Sequence, residues 1–341
     1  MKIAIAGQGA IASLFTYYWR DYSPTILLKQ LPAESNNLIL NKDTLFKSTG
    51  PLDDIHCPHN TDFDYLIIAL KSYHIDSLIA CVRPWLRQTT TLVLVQNGMG
   101  NAERLHKAFD ANPLLVGTTT DAVYRSAEHS FKVTAFGQLD IGVWRANNGA
   151  ESADASAEME RKQYIELNAH PDLVWHPDIR VALLRKLAIN AVINPLSAIF
   201  NVKNGELPRF SEELNRLKSE VCQLYLQTLN PAWTIQDGPL SQGALGTAIN
   251  TVIQKTANNY SSMHQDLYSV GAGDLRRTLP QTPRRTLPQT PRRTLPQTPR
   301  RTEIDAVLGY LLNLGKQSAI ELPFMETVYH KIIRLQTTLA D

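Results

Sequence analysis

An α/β amino-terminal half joined to an all-helical carboxy-terminal half is the fold class that the sequence predicts, with a change of character near residue 172. In the first half, short apolar β-type runs alternate with segments of helix length, the pattern of βαβ units around a parallel sheet. In the second half, apolar residues recur at helical spacing through five segments, and no convincing strand is read. The composition, 43% apolar and 19% charged over 341 residues, is that of a chain long enough to bury two cores. Domains are therefore expected at 1–172 and 173–341.

The first strand is Lys2–Ala6, apolar from Ile3 on as a buried parallel strand is, followed by a glycine turn and a helix over Ser13–Trp19. Thr25–Leu28, Tyr65–Leu70, Thr91–Val95 and Leu114–Gly117 read as further strands, and Phe131–Thr134 with Leu139–Val143 as a late hairpin around Gly137. Residues 147–160 read as a surface loop entering a helix. Helices are expected over Asp178–Phe200, Ser211–Leu229, Ala244–Ala257, Glu303–Lys316 and Pro323–Leu335, with Asp178 as an N-cap and a kink or break at Pro195.

Charge and cysteine usage narrow the classes of function. The formal net charge is +2, but residues 276–299 are three tandem copies of RRTLPQTP, each with two arginines and no acid, so the rest of the chain stands at −4. The basic isoelectric point is thus no sign of a nucleic-acid partner. Two prolines in every copy preclude a regular helix or central strand, and a solvated, polyproline-leaning loop is expected there. No run of about 18 apolar residues suggests a membrane span. Cys57, Cys81 and Cys222, odd in number and scattered, argue against a disulfide framework and for a reducing cytoplasm. His56 and His59 flank Cys57-Pro58 without further ligands at metal spacing, so no metal is expected.

The glycine turn carries the first chemistry. Gly7-Gln8-Gly9-Ala10-Ile11-Ala12 follows a strand and opens a helix, as a Rossmann dinucleotide site requires. Gly7 permits the tight turn, Gly9 lets the backbone approach a pyrophosphate, and small Ala12 lets helix and strand pack closely. At the end of the second strand, where an acid would bind a ribose 2′-hydroxyl, the sequence has Lys29 and no acid until Glu34. An ammonium there attracts a 2′-phosphate, which favours NADPH; a surface lysine closing a strand is the plainer alternative. Asn97, with Gly98, ends a presumed parallel strand, where such sheets bind ligands, although Asn-Gly is also an ordinary turn.

In the second half, Lys186, Asn190 and Asn194 recur every four residues, on one stripe of an otherwise apolar helix. Half-buried polar groups need partners. A substrate-facing stripe and an inter-helix hydrogen-bond network explain this one equally well. Ser262 reads as a site residue or a helix cap, and Glu303 as a site residue or a first-turn acid favoured by the helix dipole.

Several motifs, in order along the chain, resemble those of ketopantoate reductases: GQGAIA at the start, ALKSYH at 69–74, VQNGMGN at 95–101, RKLAINAVINPLSAIFNVKNGEL from Arg185, NNYSSMHQD at 258–266 and TEID at 302–305. The resemblance implies a Rossmann domain followed by a helical domain like that of 6-phosphogluconate dehydrogenase. It implies reduction of 2-dehydropantoate to (R)-pantoate with NADPH in pantothenate biosynthesis, by a monomer or homodimer acting on a small keto acid. By the same resemblance Lys186 is the general acid, and Glu303 the carboxylate that helps bind substrate and positions that lysine. Asn190 and Asn194 hold substrate groups, Ser262 binds the substrate carboxylate, and Asn259 is a neighbouring polar contact. Asn97 sits near both nicotinamide and substrate, Lys71 lies at the cofactor site, and Lys29 stands where an arginine is common. Another keto acid reductase on the same scaffold and a non-catalytic NADP sensor are the competing readings.

The repeat interrupts that order: 35 residues separate Asp266 from Thr302. Loop closure grows only logarithmically with length, so an outward loop costs on the order of 1 kcal/mol. Deleting two copies is expected to leave the Michaelis constants unchanged in a steady-state assay; a large gain in activity would show that the insert interferes.

Overall fold

The computed structural model describes residues 1–7, 9–27, 37–40, 45–47, 62–127, 130–144, 170–268 and 301–339. The predicted surface loop at 147–160, the Arg/Pro repeat and the His56–His59 stretch lie outside them, as do Gln8 and Lys29. The chain forms two compact units, Met1–Ala188 with Leu229–Leu245, and Ile189–Thr228 with Gly246–Asp341.

The first unit is built on a seven-stranded sheet. Its strands are β1 (Ile3–Ala6), β2 (Thr25–Leu27), β5 (Tyr65–Ile68), β6 (Thr91–Val95), β7 (Leu114–Thr119), β10 (Leu139–Val143) and β11 (Leu173–His176). They lie in the order β11-β10-β7-β6-β5-β1-β2. The run β7-β6-β5-β1-β2 is parallel throughout, so these five strands end at one edge. Between β1 and β5 the chain reverses the direction in which it adds strands, first toward β2 and then toward β6 and β7. That is the position at which open α/β sheets bind ligands.

Alternation along the strands explains the layers. Ala4 and Ala6 join one core with Leu66, Ile68, Leu92, Leu94, Leu114 and Val116, whereas Ile3 and Ile5 join the opposite core with Tyr65, Ile67, Val93 and Leu115. The first core is covered by α2 (Ile75–Val82), α3 (Asn101–Ala108) and the start of α4 (Arg180–Phe200), through Ile75, Leu78, Leu105, Ile179 and Leu183. The second is covered by α1 (Ala10–Tyr18), through Leu14, Phe15 and Tyr18. A sheet covered on both faces needs the near-continuous apolar strands that the sequence shows.

Three local expectations are corrected. Phe131–Thr134 and Leu139–Val143 do not form a hairpin: β9 (Ser130–Ala135) pairs with β8 (Ala122–Ala127) in a separate four-stranded sheet, of order β4-β3-β9-β8. In that sheet β3 is Asn37–Leu40 and β4 is Leu45–Lys47. β10 instead crosses to β7, antiparallel. A strand does follow residue 172, because β11 adds to the edge of the main sheet beside β10. Cys81 is disulfide-bonded, against the expectation drawn from scattered spacing, and among the described residues Cys222 is a free thiol.

Within the second unit the helices are α5 (Ser211–Thr228), α7 (Gln242–Lys255, shared at its start with the first unit), α8 (Ser262–Tyr268), α9 (Tyr310–Gln317) and α10 (Pro323–Thr338), with the rest of α4; the short α6 (Pro231–Thr234) belongs to the first unit. Leu214, Leu217, Val221, Leu224 and Tyr225 form the buried stripe of α5. The Glu220 carboxylate accepts from the Phe324 and Met325 N–H groups at 2.8 and 2.7 Å, which satisfies two orphan donors at the head of α10. Helix α4 runs unbroken through Pro195, where a kink or a break was expected. By length and composition alone it would cross a bilayer, yet 61% of that stretch is buried inside the protein, as in a core helix.

At β10, a Cβ on Gly142 would stand 2.2 Å from the His176 carbonyl oxygen and 3.0 Å from the Ile179 Cβ. Backbone atoms cannot yield as a flexible side chain can. Gly142→Ala is expected to lower stability by about 1–3 kcal/mol, read as a lower urea midpoint with an unchanged m-value.

Candidate active site

Four of the predicted positions gather at the carboxyl edge of the parallel strands. Gly7 follows β1 with φ +135°, a value that favours glycine. A Cβ there would lie 2.7 Å from the Ala69 carbonyl oxygen, just past β5, and 3.1 Å from the Ala12 Cβ. The glycine and the small alanine are therefore both demanded by one close approach. Gly9 precedes Ala10 as the N-cap of α1 in extended conformation, without any side-chain cap. Around Gly9 a Cβ would meet nothing within 4 Å, and Ala10 and Ile11 open the first turn, half-buried. A helix head whose first N–H groups have no partner among the described residues, with a glycine before it, fits a pyrophosphate.

Lys71 follows β5 and precedes a 3-10 turn over Ser72–His74; its carbonyl accepts from His74. Asn97 follows β6, in a turn where Gly98 and Gly100 have φ of +83° and +99°. Its neighbour Asn101 is buried and ties the turn down, donating to the Ser72 carbonyl at 2.9 Å and to Gln96 Oε1 at 2.8 Å. Gln96, Asn97, Gly98, Gly100, Trp144 and Leu183 line a small hollow at this edge.

Lys186 lies in the second turn of α4, half-buried, and its Nζ donates to the carbonyl of Thr119, the last residue of β7, at 2.7 Å. The amine is thus placed at the same strand edge as Gly7, Lys71 and Asn97. The remaining predicted residues belong to the second unit. Asn190 and Asn194 continue the Lys186 stripe along α4 and are half-buried. Among the described residues neither side-chain amide makes a hydrogen bond, so the inter-helix network weighed above does not form there. Ser261, not Ser262, is the cap of α8: its hydroxyl accepts from the His264 N–H at 3.1 Å and donates to the Asn194 carbonyl at 3.3 Å. Ser262 is left exposed. The exposed Asn259 accepts from the Asn204 N–H through its carbonyl, at 2.9 Å. Glu303 is 7% exposed, and its carbonyl accepts from Ala306 and Val307 at the head of a π-helical turn, Asp305–Gly309. Such turns recur at functional sites.

One cluster escaped sequence reasoning. Asp121, two residues beyond the carbonyl that holds Lys186, is buried with His170. Its carboxylate accepts from His170 Nε2 at 3.0 Å, from Thr119 Oγ1 at 2.5 Å and from the Gly137 N–H at 2.8 Å. Burial pushes the Asp121 carboxyl up, but those hydrogen bonds outweigh it and hold it below the usual carboxylate range. Beside it, burial and then the Asp121 charge push the Tyr18 phenol up. No spacing in the sequence signals a pair 49 residues apart.

A parallel sheet with a Gly-x-Gly-x-x-Ala turn heading its first helix, followed by a helical unit, is the plan of a two-part Rossmann protein. Comparison fixes the family. Profiles of the ketopantoate reductase PanE/ApbA family match residues 3–146, and its carboxy-terminal profile matches 178–270 and 297–336; the chain belongs to that family. It is 30% identical over 352 residues to the 2-dehydropantoate 2-reductase of Escherichia coli O157:H7, covering 99% of this chain and 96% of that protein. With the 2-dehydropantoate 2-reductase of Vibrio cholerae it shares 29% identity over 354 residues, covering 98% of each. Among solved structures it resembles a PanE/ApbA family ketopantoate reductase from Ralstonia eutropha, with a TM-score of 0.74, 17% identity and full coverage of both chains. A D-mandelate dehydrogenase solved with NADH and anilino(oxo)acetate gives a TM-score of 0.74, at 18% identity and 99% of each chain. At such identities the likeness is one of fold.

A carboxyl whose folded pKa is depressed contributes stability that is present above its unfolded value, near 3.8, and lost as pH falls through the folded value. The urea midpoint of the protein is therefore expected to exceed that of Asp121→Asn at neutral pH, and the gap to narrow as pH drops below about 4. A gap independent of pH would assign the carboxylate no such role.

Proposed function

We propose that the protein reduces 2-dehydropantoate to (R)-pantoate with NADPH, as a cytoplasmic step of pantothenate biosynthesis. The observation that carries this reading is the α4 stripe: an amine at the sheet edge, followed along the same helix by two half-buried amides without a partner among the described residues. Polar groups in such surroundings are costly unless something binds them.

NADPH, when bound, supplies the hydride. The open head of α1 would take its pyrophosphate, with Gly7 and Gly9 keeping the backbone clear and Lys29 attracting the 2′-phosphate. Lys71 and Asn97 would orient its reactive end. The chain's own part in the chemistry is to hold the keto acid and move one proton. Asn190 and Asn194 would hold substrate groups, its hydroxyl among them, through their amides; the Ser262 hydroxyl would bind its carboxylate, with Asn259 as a neighbouring polar contact. The Nζ of Lys186 is a donor already placed against a neutral carbonyl by a hydrogen bond. It would pass a proton to the oxygen that becomes the new hydroxyl, stabilising the negative charge that develops there. Glu303, buried at the head of its helix, would anchor the substrate and help set the lysine.

The decisive experiment follows NADPH and NADH oxidation in parallel with 2-dehydropantoate and a short panel of other 2-keto acids. Turnover should be greatest with 2-dehydropantoate and NADPH. A preference for an aromatic keto acid with NADH would instead place the protein beside the D-mandelate dehydrogenases, and binding without turnover would make it a sensor. Lys186→Ala is expected to cut kcat by about 10²- to 10⁴-fold while sparing NADPH affinity.

A further inference from the structure

Behind the carbonyl that receives Lys186 lies a buried polar cluster that the proposed chemistry does not use. Thr119 and Asp121 are locked to each other reciprocally. The Thr119 hydroxyl donates to Asp121 Oδ2 at 2.5 Å, and the Asp121 N–H donates to Thr119 Oγ1 at 3.0 Å. These two bonds close a ring around the peptide units that carry the Thr119 carbonyl. His170 completes it from three residues ahead of β11. The Asp172 N–H donates to His170 Nδ1 at 3.0 Å, so that nitrogen is an acceptor and the ring proton sits on Nε2, which faces Asp121 Oδ2 at 3.0 Å. The Tyr18 ring packs on the His170 ring with centroids 4.5 Å apart, and its hydroxyl points to Asp121 Oδ1 at 3.4 Å. Both the Asp121 and His170 side chains are fully excluded from solvent.

A carboxylate in such a place is expensive unless every lone pair is met, and an apolar pair of similar volume is often as stable. What a satisfied buried network supplies beyond stability is one fixed geometry. Here the geometry fixed is that of a strand end whose next free acceptor is the carbonyl bonded to Lys186 Nζ at 2.7 Å.

We propose that Asp121 and His170 are positioning residues for the Lys186 amine: through Thr119 they hold the carbonyl that aims Nζ at the reacting oxygen. The proposal rests on the reading of Lys186 as proton donor. It makes the proton-transfer step sensitive to a histidine that touches neither substrate nor cofactor.

The test compares His170→Phe, which removes the donor, with His170→Gln, whose amide N–H can replace Nε2–H. Thr119→Val, close in shape, breaks the ring from the other side should His170→Phe fail to fold. For each folded variant, kcat and KM for 2-dehydropantoate, NADPH affinity by fluorescence and thermal midpoint are measured. The acetylation rate of Lys186 by acetic anhydride is read by peptide mass spectrometry. His170→Phe and Thr119→Val should lose about 10- to 100-fold in kcat, with NADPH affinity unchanged, since small misplacements of a reacting group cost that much. Lys186 should acetylate several-fold faster in both, and His170→Gln should recover most of kcat at the wild-type labelling rate. Wild-type kcat and labelling in folded His170→Phe or Thr119→Val would overturn the proposal, as would a loss of kcat that only follows the fraction unfolded. If the wild-type protein turns over no keto acid, the functional reading falls by itself. The labelling rates then decide the positioning role alone: faster acetylation in the variants supports it, and unchanged acetylation overturns it.

Discussion

The candidate chemistry depends on a hydrogen bond from the ammonium of Lys186 to the carbonyl at the end of β7. A lysine side chain has four rotatable bonds and an amine that water solvates well, so left alone it samples many positions. At the end of β7 the carbonyl belongs to a strand held on one side by β6 and on the other by β10. An acceptor so placed turns a flexible side chain into a directed donor. The start of α4, packed against the sheet through Ile179 and Leu183, supplies the other fixed end.

The turn after β1 imposes a second constraint, of backbone on backbone. Gly7 brings the chain close enough to the segment after β5 that no side chain fits, and Ala12 brings the helix down on the same spot. The head of α1 is thereby set at the point where the sheet changes its direction of growth. The head of α1 and the Lys186 amine then require no long-range device to meet the same strand edge, since the parallel register of five strands delivers both.

The main sheet was legible in the sequence because its strands are buried on both faces and read as continuous apolar runs; Ile3–Ala6, Tyr65–Ile68 and Thr91–Val95 are fully buried. The helices were legible because stripes such as Leu214, Leu217, Val221 and Leu224 keep helical spacing. Strand partners were not, because pairing is decided by non-local geometry: β9 and β10 flank one glycine, yet each joins a different sheet. The helix does not break at Pro195 because the cost of a missing N–H is local, whereas the burial of Ala191, Val192, Ile193 and Leu196 acts over the whole helix. At the candidate site, the glycine turn and the α4 stripe carried periodic or positional signals. Asp121 and His170 carried none, since their meeting depends on β7 and β11 both flanking β10.

The carboxylate of Glu220 at the head of α10 has a bearing on how such a gene tolerates change. It clamps the last helix directly to one formed a hundred residues earlier, and Gln336 of that last helix accepts from the Thr302 N–H at 2.5 Å. Chain on both sides of the tandem Arg/Pro copies is thereby anchored by bonds that do not pass through them. Slippage during replication that adds or drops whole copies would leave the residues of those bonds in the chain.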